Sequence, residues 1–158
     1  MKRIIILSIC VLIFASCGKK NVFDEQRTFA NNNWQRFSTE SFEVPIRNID
    51  DCYHLYMDLV IDTAFFCENL LPLTININGP DGSNRMFYGY VRVRDNGRWQ
   101  GTFEGGNLHV SQRVRQYFFF NTKGTHEVVI GQATSHYDLY GIVSAGLRIE
   151  KAELNFPK

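Results

Sequence analysis

Tyr53-His54-Leu55-Tyr56-Met57-Asp58-Leu59-Val60-Ile61 is the stretch on which the fold turns. Tyr53, Leu55, Met57, Leu59 and Ile61 alternate with His54, Tyr56, Asp58 and Val60. A period of two sends one set to a buried face and the other to solvent, the signature of a half-buried strand. Upstream, Phe42, Val44 and Ile46 alternate in the same way. Downstream, residues 71–77 read as a third strand, and Pro72 marks its start or a sheet edge. Gly79-Pro80-Asp81-Gly82 is a turn. Alternation resumes over 86–94, with Phe87, Val91 and Val93 on one side and Tyr88, Tyr90, Arg92 and Arg94 on the other. Asp95-Asn96-Gly97 predicts a hairpin, because Asn-Gly tolerates positive φ at both central positions. Residues 113–120 and 125–132 are further strands, joined at Lys123-Gly124. Residues 135–140 read as a loop or a single helical turn, and Leu147, Ile149 and Leu154 mark a final strand. Many short strands with Gly-rich turns predict an all-β fold: a single antiparallel β-sandwich or jelly-roll-like domain.

The N-terminus is of another kind. Lys2 and Arg3 precede an apolar run from Ile4 to Ala15, broken only by Ser8. A membrane-spanning helix needs about 20 apolar residues, so this shorter run suits the hydrophobic region of a secretory signal peptide. It ends in Phe14-Ala15-Ser16-Cys17, the lipobox arrangement of a bacterial lipoprotein. The small Ala15 and Ser16 fit a peptidase cleft, and the nucleophilic Cys17 thiol accepts the lipid. One acyl chain holds only marginally, whereas two or more hold firmly, at about 0.8 kcal/mol per buried methylene. The reading divides the chain into a signal peptide (1–16), a lipidated cysteine with its tether (17–33), and a β-sandwich domain (34–158). No acidic run follows Cys17. Its absence points to the periplasmic face of the outer membrane rather than the cell surface.

With Lys2 and Arg3 removed, 15 basic residues face 16 acidic ones. That balance argues against a nucleic-acid partner, which requires a basic surface. Cys52 and Cys67 remain once Cys10 leaves with the signal and Cys17 takes lipid. If strands 53–61 and 70–77 form a simple hairpin, the two thiols lie too far apart to bridge and stay free and partly buried. A non-adjacent pairing of those strands would reverse that expectation.

Catalytic signals are sparse. His54, His109, His126 and His136 lack zinc-site spacing and read as surface or turn histidines, so no metal and no cofactor is expected. There is no nucleophile elbow and no phosphate-binding loop. Asp58 and Asp62 offer a carboxylate pair, but on the polar face of one strand, where solvated acids are ordinary. Trp99 reads as a loop anchor, and Phe118-Phe119-Phe120 as a segment buried on both faces. The face bearing Tyr88, Tyr90, Arg92 and Arg94 is the candidate binding surface, and Arg98, Arg113, Arg115 and Tyr117 are candidate extensions of it. Tyr and Arg are the residue types enriched at binding hot spots.

Several segments together resemble one family. The lipid cysteine precedes an asparagine-rich segment and Trp34, and Asn69-Leu70 opens a strand that ends in Pro80-Asp81-Gly82. Trp99-Gln100-Gly101 follows a hairpin, and Gly141-Ile142 leads into Gly146-Leu147-Arg148-Ile149-Glu150-Lys151. The pattern is similar to the gliding-motility lipoprotein GldH family of Bacteroidetes, with Ala64-Phe65-Phe66-Cys67 standing where the family is expected to be tyrosine-rich. The resemblance implies an outer-membrane-associated lipoprotein that supports gliding along surfaces, a process tied to a protein-secretion apparatus in the same envelope. It carries no catalytic residues. The expected function is non-enzymatic, through contacts with other envelope proteins. The alternative is a carbohydrate-binding lipoprotein whose Tyr/Arg face takes a glycan.

Overall fold

The computed structural model describes residues 21–154. The signal peptide, Cys17 and the first part of the tether lie outside the described residues. The strands in order are β1 (Asn21–Thr28), β2 (Asn33–Gln35), β3 (Thr39–Ile46), β4 (Tyr53–Ile61), β5 (Leu70–Asn78), β6 (Asn84–Arg92) and β7 (Arg94–Asp95). They continue with β8 (Arg98–Trp99), β9 (Thr102–Glu104), β10 (Asn107–Phe118), β11 (Gly124–Gln132), β12 (Asp138–Tyr140) and β13 (Ile142–Lys151). One sheet has five strands in the order β1-β13-β4-β10-β9, and the other has four in the order β3-β11-β5-β6. Two short ribbons, β2-β12 and β7-β8, close the same end of the sandwich. All ladders are antiparallel.

The alternation of β4 becomes the centre of the core. Tyr53, Leu55, Met57, Leu59 and Ile61 are buried against Leu71, Leu73, Ile75 and Ile77 of β5, with Val128 and Ile130 of β11 and Leu147 and Ile149 of β13 in the same cluster. Each fully buried aliphatic side chain contributes roughly 1.5–3 kcal/mol relative to exposure. Trp34 is fully enclosed, stacks on Phe29 at 4.9 Å between ring centroids, and donates its indole N–H to the Ser38 carbonyl at 2.9 Å.

The turn chemistry falls where the sequence places it. Gly82 closes the β5–β6 turn, its N–H reaching the Gly79 carbonyl at 3.1 Å. Asn96 (φ 48°) and Gly97 (φ 75°) are the two central residues between β7 and β8, both left-handed as a primed hairpin requires. Pro72 lies near the start of β5, at a strand the sheet encloses on both sides.

The structure differs from several of these expectations. β4 and β5 are not a hairpin: they lie in opposite sheets, and β4 pairs with β10 and β13. Cys52 and Cys67 are nonetheless unbridged, Cys52 buried and Cys67 exposed rather than partly buried. Residues 21–28, read as tether, form edge strand β1, whose polar sequence follows from pairing on one side only, with Phe23 its one buried side chain. Residues 135–140 contain no helical turn; Asp138–Tyr140 pairs with Asn33–Gln35. Finally, Phe119 is exposed between buried Phe118 and Phe120, because β10 has ended and the chain is turning toward β11.

Candidate functional site

The outer face of β6 carries Met86, Tyr88, Tyr90 and Arg92, all exposed, with Tyr88 at 72% and Tyr90 at 53% of full exposure. Between them Gly89 and Val91 point into the core. The ladder to β5 sets the neighbours: Met86 stands beside Asn76, Tyr88 beside Thr74, Tyr90 beside Pro72, and Arg92 beside Leu70. None of these neighbours is an aromatic, so neither tyrosine has a ring partner across the β5–β6 ladder. β6 is also the edge of its sheet, so one row of its backbone groups lacks a ladder partner.

Arg94 departs from this face. The sheet ends at Arg92, and Arg94 lies 3.7 Å over the Trp99 ring while donating to the Phe66 carbonyl at 3.4 Å. It clamps the β7–β8 hairpin onto the body. Trp99 thereby packs as the loop anchor its sequence suggests, against the core cluster. The extended platform is not one surface either. Arg113 and Tyr117 belong to β10, in the five-stranded sheet, beside Tyr56 and His54 of β4. Arg115 and Arg85 face the rim between β6 and β10, over Phe87 at 5.3 Å and Phe118 at 4.2 Å. Alternation reveals which residues of one strand share a face, but not which strands share a sheet.

The other sequence candidates have structural partners. Arg148 gives Asp58 two hydrogen bonds, at 2.8 and 3.3 Å, and also reaches Ser111 at 2.9 Å and Glu150. Its guanidinium lies over the Tyr56 ring at 4.2 Å. Asp62 accepts the Ala64 N–H at 3.1 Å, an Asx turn after β4. His54 Nδ1 accepts the Tyr117 N–H at 3.3 Å, capping a bulge where Tyr117 takes φ 50°. Burial first, and Arg113 second, lower the His54 pKa, while Glu150 opposes them. His126 is a buried histidine rather than a surface one: its ring meets Phe120 edge-on at 4.8 Å. Burial lowers its pKa. His136 meets Glu68 at 2.8 Å.

Among the described residues, no group of three or more His, Cys, Asp or Glu side chains is arranged to hold a metal. A hollow of about 490 Å³ lies on the five-stranded sheet, and Asp58, Glu104, His109 and Ser111 line it. Its Asp58 is already committed to Arg148. Glu40, whose pKa burial raises, lines a different hollow with no histidine in its wall. General acid–base work needs such groups within hydrogen-bond reach of each other or of one substrate position.

The basic character read from the sequence belongs to a stretch of chain wider than this face. Residues 84–120 hold six arginines against Asp95 and Glu104, whereas the rest of 21–154 holds six basic residues against fourteen acidic ones. A running charge count along the chain reveals it.

A model of the GldH lipoprotein family matches residues 21–149, which run from the first strand to near the end of the last. The chain belongs to the GldH lipoprotein family. It is 27% identical to the gliding motility lipoprotein GldH homolog of Christiangramia forsetii over 153 residues, covering 90% of this chain and 91% of that one. It is also 27% identical to the gliding motility lipoprotein GldH of Flavobacterium johnsoniae over 157 residues, covering 94% and 96%. In this GldH-family chain the C-terminal segment Gly146–Lys151 has a clear structural meaning. A Cβ at Gly146 would sit 2.6 Å from the Gln26 side chain, so glycine lets β1 pair there. Leu147 and Ile149 enter the core, Arg148 binds Asp58, and Lys151 meets Asp51 at 2.7 Å.

Proposed function

We propose that this protein is a lipid-anchored, non-enzymatic envelope lipoprotein that supports gliding motility, or the protein-secretion machinery associated with it, by contacts with other envelope proteins. Cys17 carries the lipid, and the periplasmic face of the outer membrane is its place of work. The observation that carries the reading is the β6 face: two exposed tyrosines and an arginine on an edge strand, beside an arginine-rich rim on an otherwise acidic body. Exposed Tyr and Arg are typical binding anchors; Arg92 makes one exposed ion pair, with Asp95 at 3.7 Å, whereas Asp58, Asp62, His54 and His136 are held by ion pairs, hydrogen bonds and turns. Family membership and the names of the two relatives support the gliding role.

The site residues are Tyr88, Tyr90 and Arg92, with Arg94 as their support. A fold-preserving test is the triple variant Tyr88→Ser, Tyr90→Ser, Arg92→Ser, expressed in its own envelope. It should keep its membrane fraction and thermal stability, yet lose co-purifying envelope proteins and, in a gliding host, surface spreading or secretion. Unchanged spreading and recovery would remove this face from the function. Binding of a glycan to the purified wild-type domain, abolished in the same variant, would favour the carbohydrate-binding alternative.

A further inference from the structure

The start of β1 lies at one end of the sandwich, and the ladders identify what shares that end. Asn21 stands beside Glu150, Lys151 beside Tyr53, Phe118 beside Tyr53, and Gly124 beside Ile46. Val22 lines a shallow hollow with Ile46, Arg47, Asn48 and Tyr53, which ties the first strand to the loop after β3. This end therefore consists of the β1 start, the loops 47–52 and 119–123, the 79–83 turn, and the chain after β13. It exposes four apolar side chains: Val22 (42%), Ile49 (37%), Phe119 (44%) and Leu154 (44%).

The chain ahead of this end is short. Only Gly18, Lys19 and Lys20 separate Cys17 from Asn21. Four Cα steps reach at most about 14 Å even fully extended. The nine residues of β4 run about 30 Å from this end to the other. A lipid on Cys17 would therefore hold the near end within about 14 Å of the bilayer, while Phe37 and Tyr137 lie at the other end of the sandwich, about 30 Å away along β4. The segment between Cys17 and Asn21 contains two cations, Lys19 and Lys20, and a basic residue near an anionic lipid surface is worth about 1 kcal/mol.

We propose that the sandwich stands end-on on the membrane, with Val22, Ile49, Phe119 and Leu154 seated on the lipid surface at headgroup level. This rests on Cys17 as the lipid-bearing residue. The occupant is the bilayer, because the tether leaves no room for a folded partner between the lipid and Val22. The seat fixes the orientation: β6 stands upright beside the membrane and can meet partners laterally.

The test uses the full lipidated protein in vesicles of phosphatidylethanolamine and phosphatidylglycerol that carry a doxyl-quencher lipid. Single cysteines replace Ile49, Phe119, Phe37 or Tyr137 in a Cys67→Ser background and carry an environment-sensitive fluorophore; all four positions are exposed or partly exposed, so the fold tolerates them. Quenching at Ile49→Cys and Phe119→Cys should exceed that at Phe37→Cys and Tyr137→Cys severalfold. Equal quenching at both ends, or more at Phe37→Cys, overturns the seat while leaving the anchor standing. Probes at positions 49 and 119 that are shielded only in native envelopes, and not in vesicles, would assign that end to a protein and overturn the lipid seat. Protein that never associates with the vesicles overturns both the seat and the Cys17 reading.

Discussion

Arg148 holds together the outer face of the five-stranded sheet. Its partners Asp58 and Glu150 are about one-fifth exposed, so solvent screens these pairs only in part. Asp58→Ala should cost about 2–3 kcal/mol in denaturant unfolding, because it leaves a half-buried guanidinium with one carboxylate. A loss no larger than that of a surface substitution would show that Asp58 does other work. His126 sets a pH dependence. Burial lowers its pKa, with the hydrogen bond to the Gly124 carbonyl and Asp81 opposing and Arg85 adding to the shift, so the fold favours the neutral ring. The unfolded chain takes up a proton as pH falls through about 6.5 and the folded one only at lower pH, so stability falls as pH drops through that range. His54 acts in the same direction. His126→Phe should flatten that slope in pH-resolved thermal melts; an unchanged slope would assign the effect elsewhere. The thiols separate by burial. Burial pushes the Cys52 thiol up, with Asp51 adding to it, while Cys67 is exposed. A maleimide should modify Cys67 rapidly in the native protein and both residues after unfolding without reductant. No second modification on unfolding would mean a disulfide.

At the scale of elements, strand existence was legible and strand partnership was not. The alternation at 53–61 marks β4 to the residue, since its inward side chains are uniformly large and apolar. Nothing in that pattern tells whether β5 or β13 lies alongside, because partnership is set by packing across the whole sandwich. β1 was hidden for the opposite reason. An edge strand that buries one aromatic carries too little apolar signal to separate from a tether. The candidate site divides similarly. Tyr88, Tyr90 and Arg92 share a face as period two predicts, whereas Arg94 leaves it because the sheet ends and Trp99 captures its guanidinium. Gly89 shows a constraint between elements. A Cβ there would approach Ile75 and Val114 to 3.2 Å, so glycine lets β10 pack across the inner side of β6. Gly89→Val should destabilise the domain by about 1–3 kcal/mol in urea unfolding, through overpacking. A neutral result would mean that β6 and β10 are free to separate.

The whole molecule has an asymmetric charge distribution. Arg92 on β6 and Arg85 and Arg115 on the rim between β6 and β10 lie on a chain that is acidic elsewhere, so an incoming acidic partner is steered toward that side. Salt should therefore weaken partner association, while the lipid anchor is insensitive to it. Cys17→Ser should move the protein from membrane to soluble fractions, and its retention through a high-salt wash would end the lipoprotein reading. The central claim is that the β6 face meets a protein in the envelope. The most direct measurement places a photo-crosslinking amino acid at Tyr88 in the native host, with a control at Gln26 on the edge strand of the other sheet. The account predicts one discrete protein adduct from position 88, reduced by Arg92→Ser and absent from position 26. No adduct from position 88, or the same adducts from both positions, would contradict it.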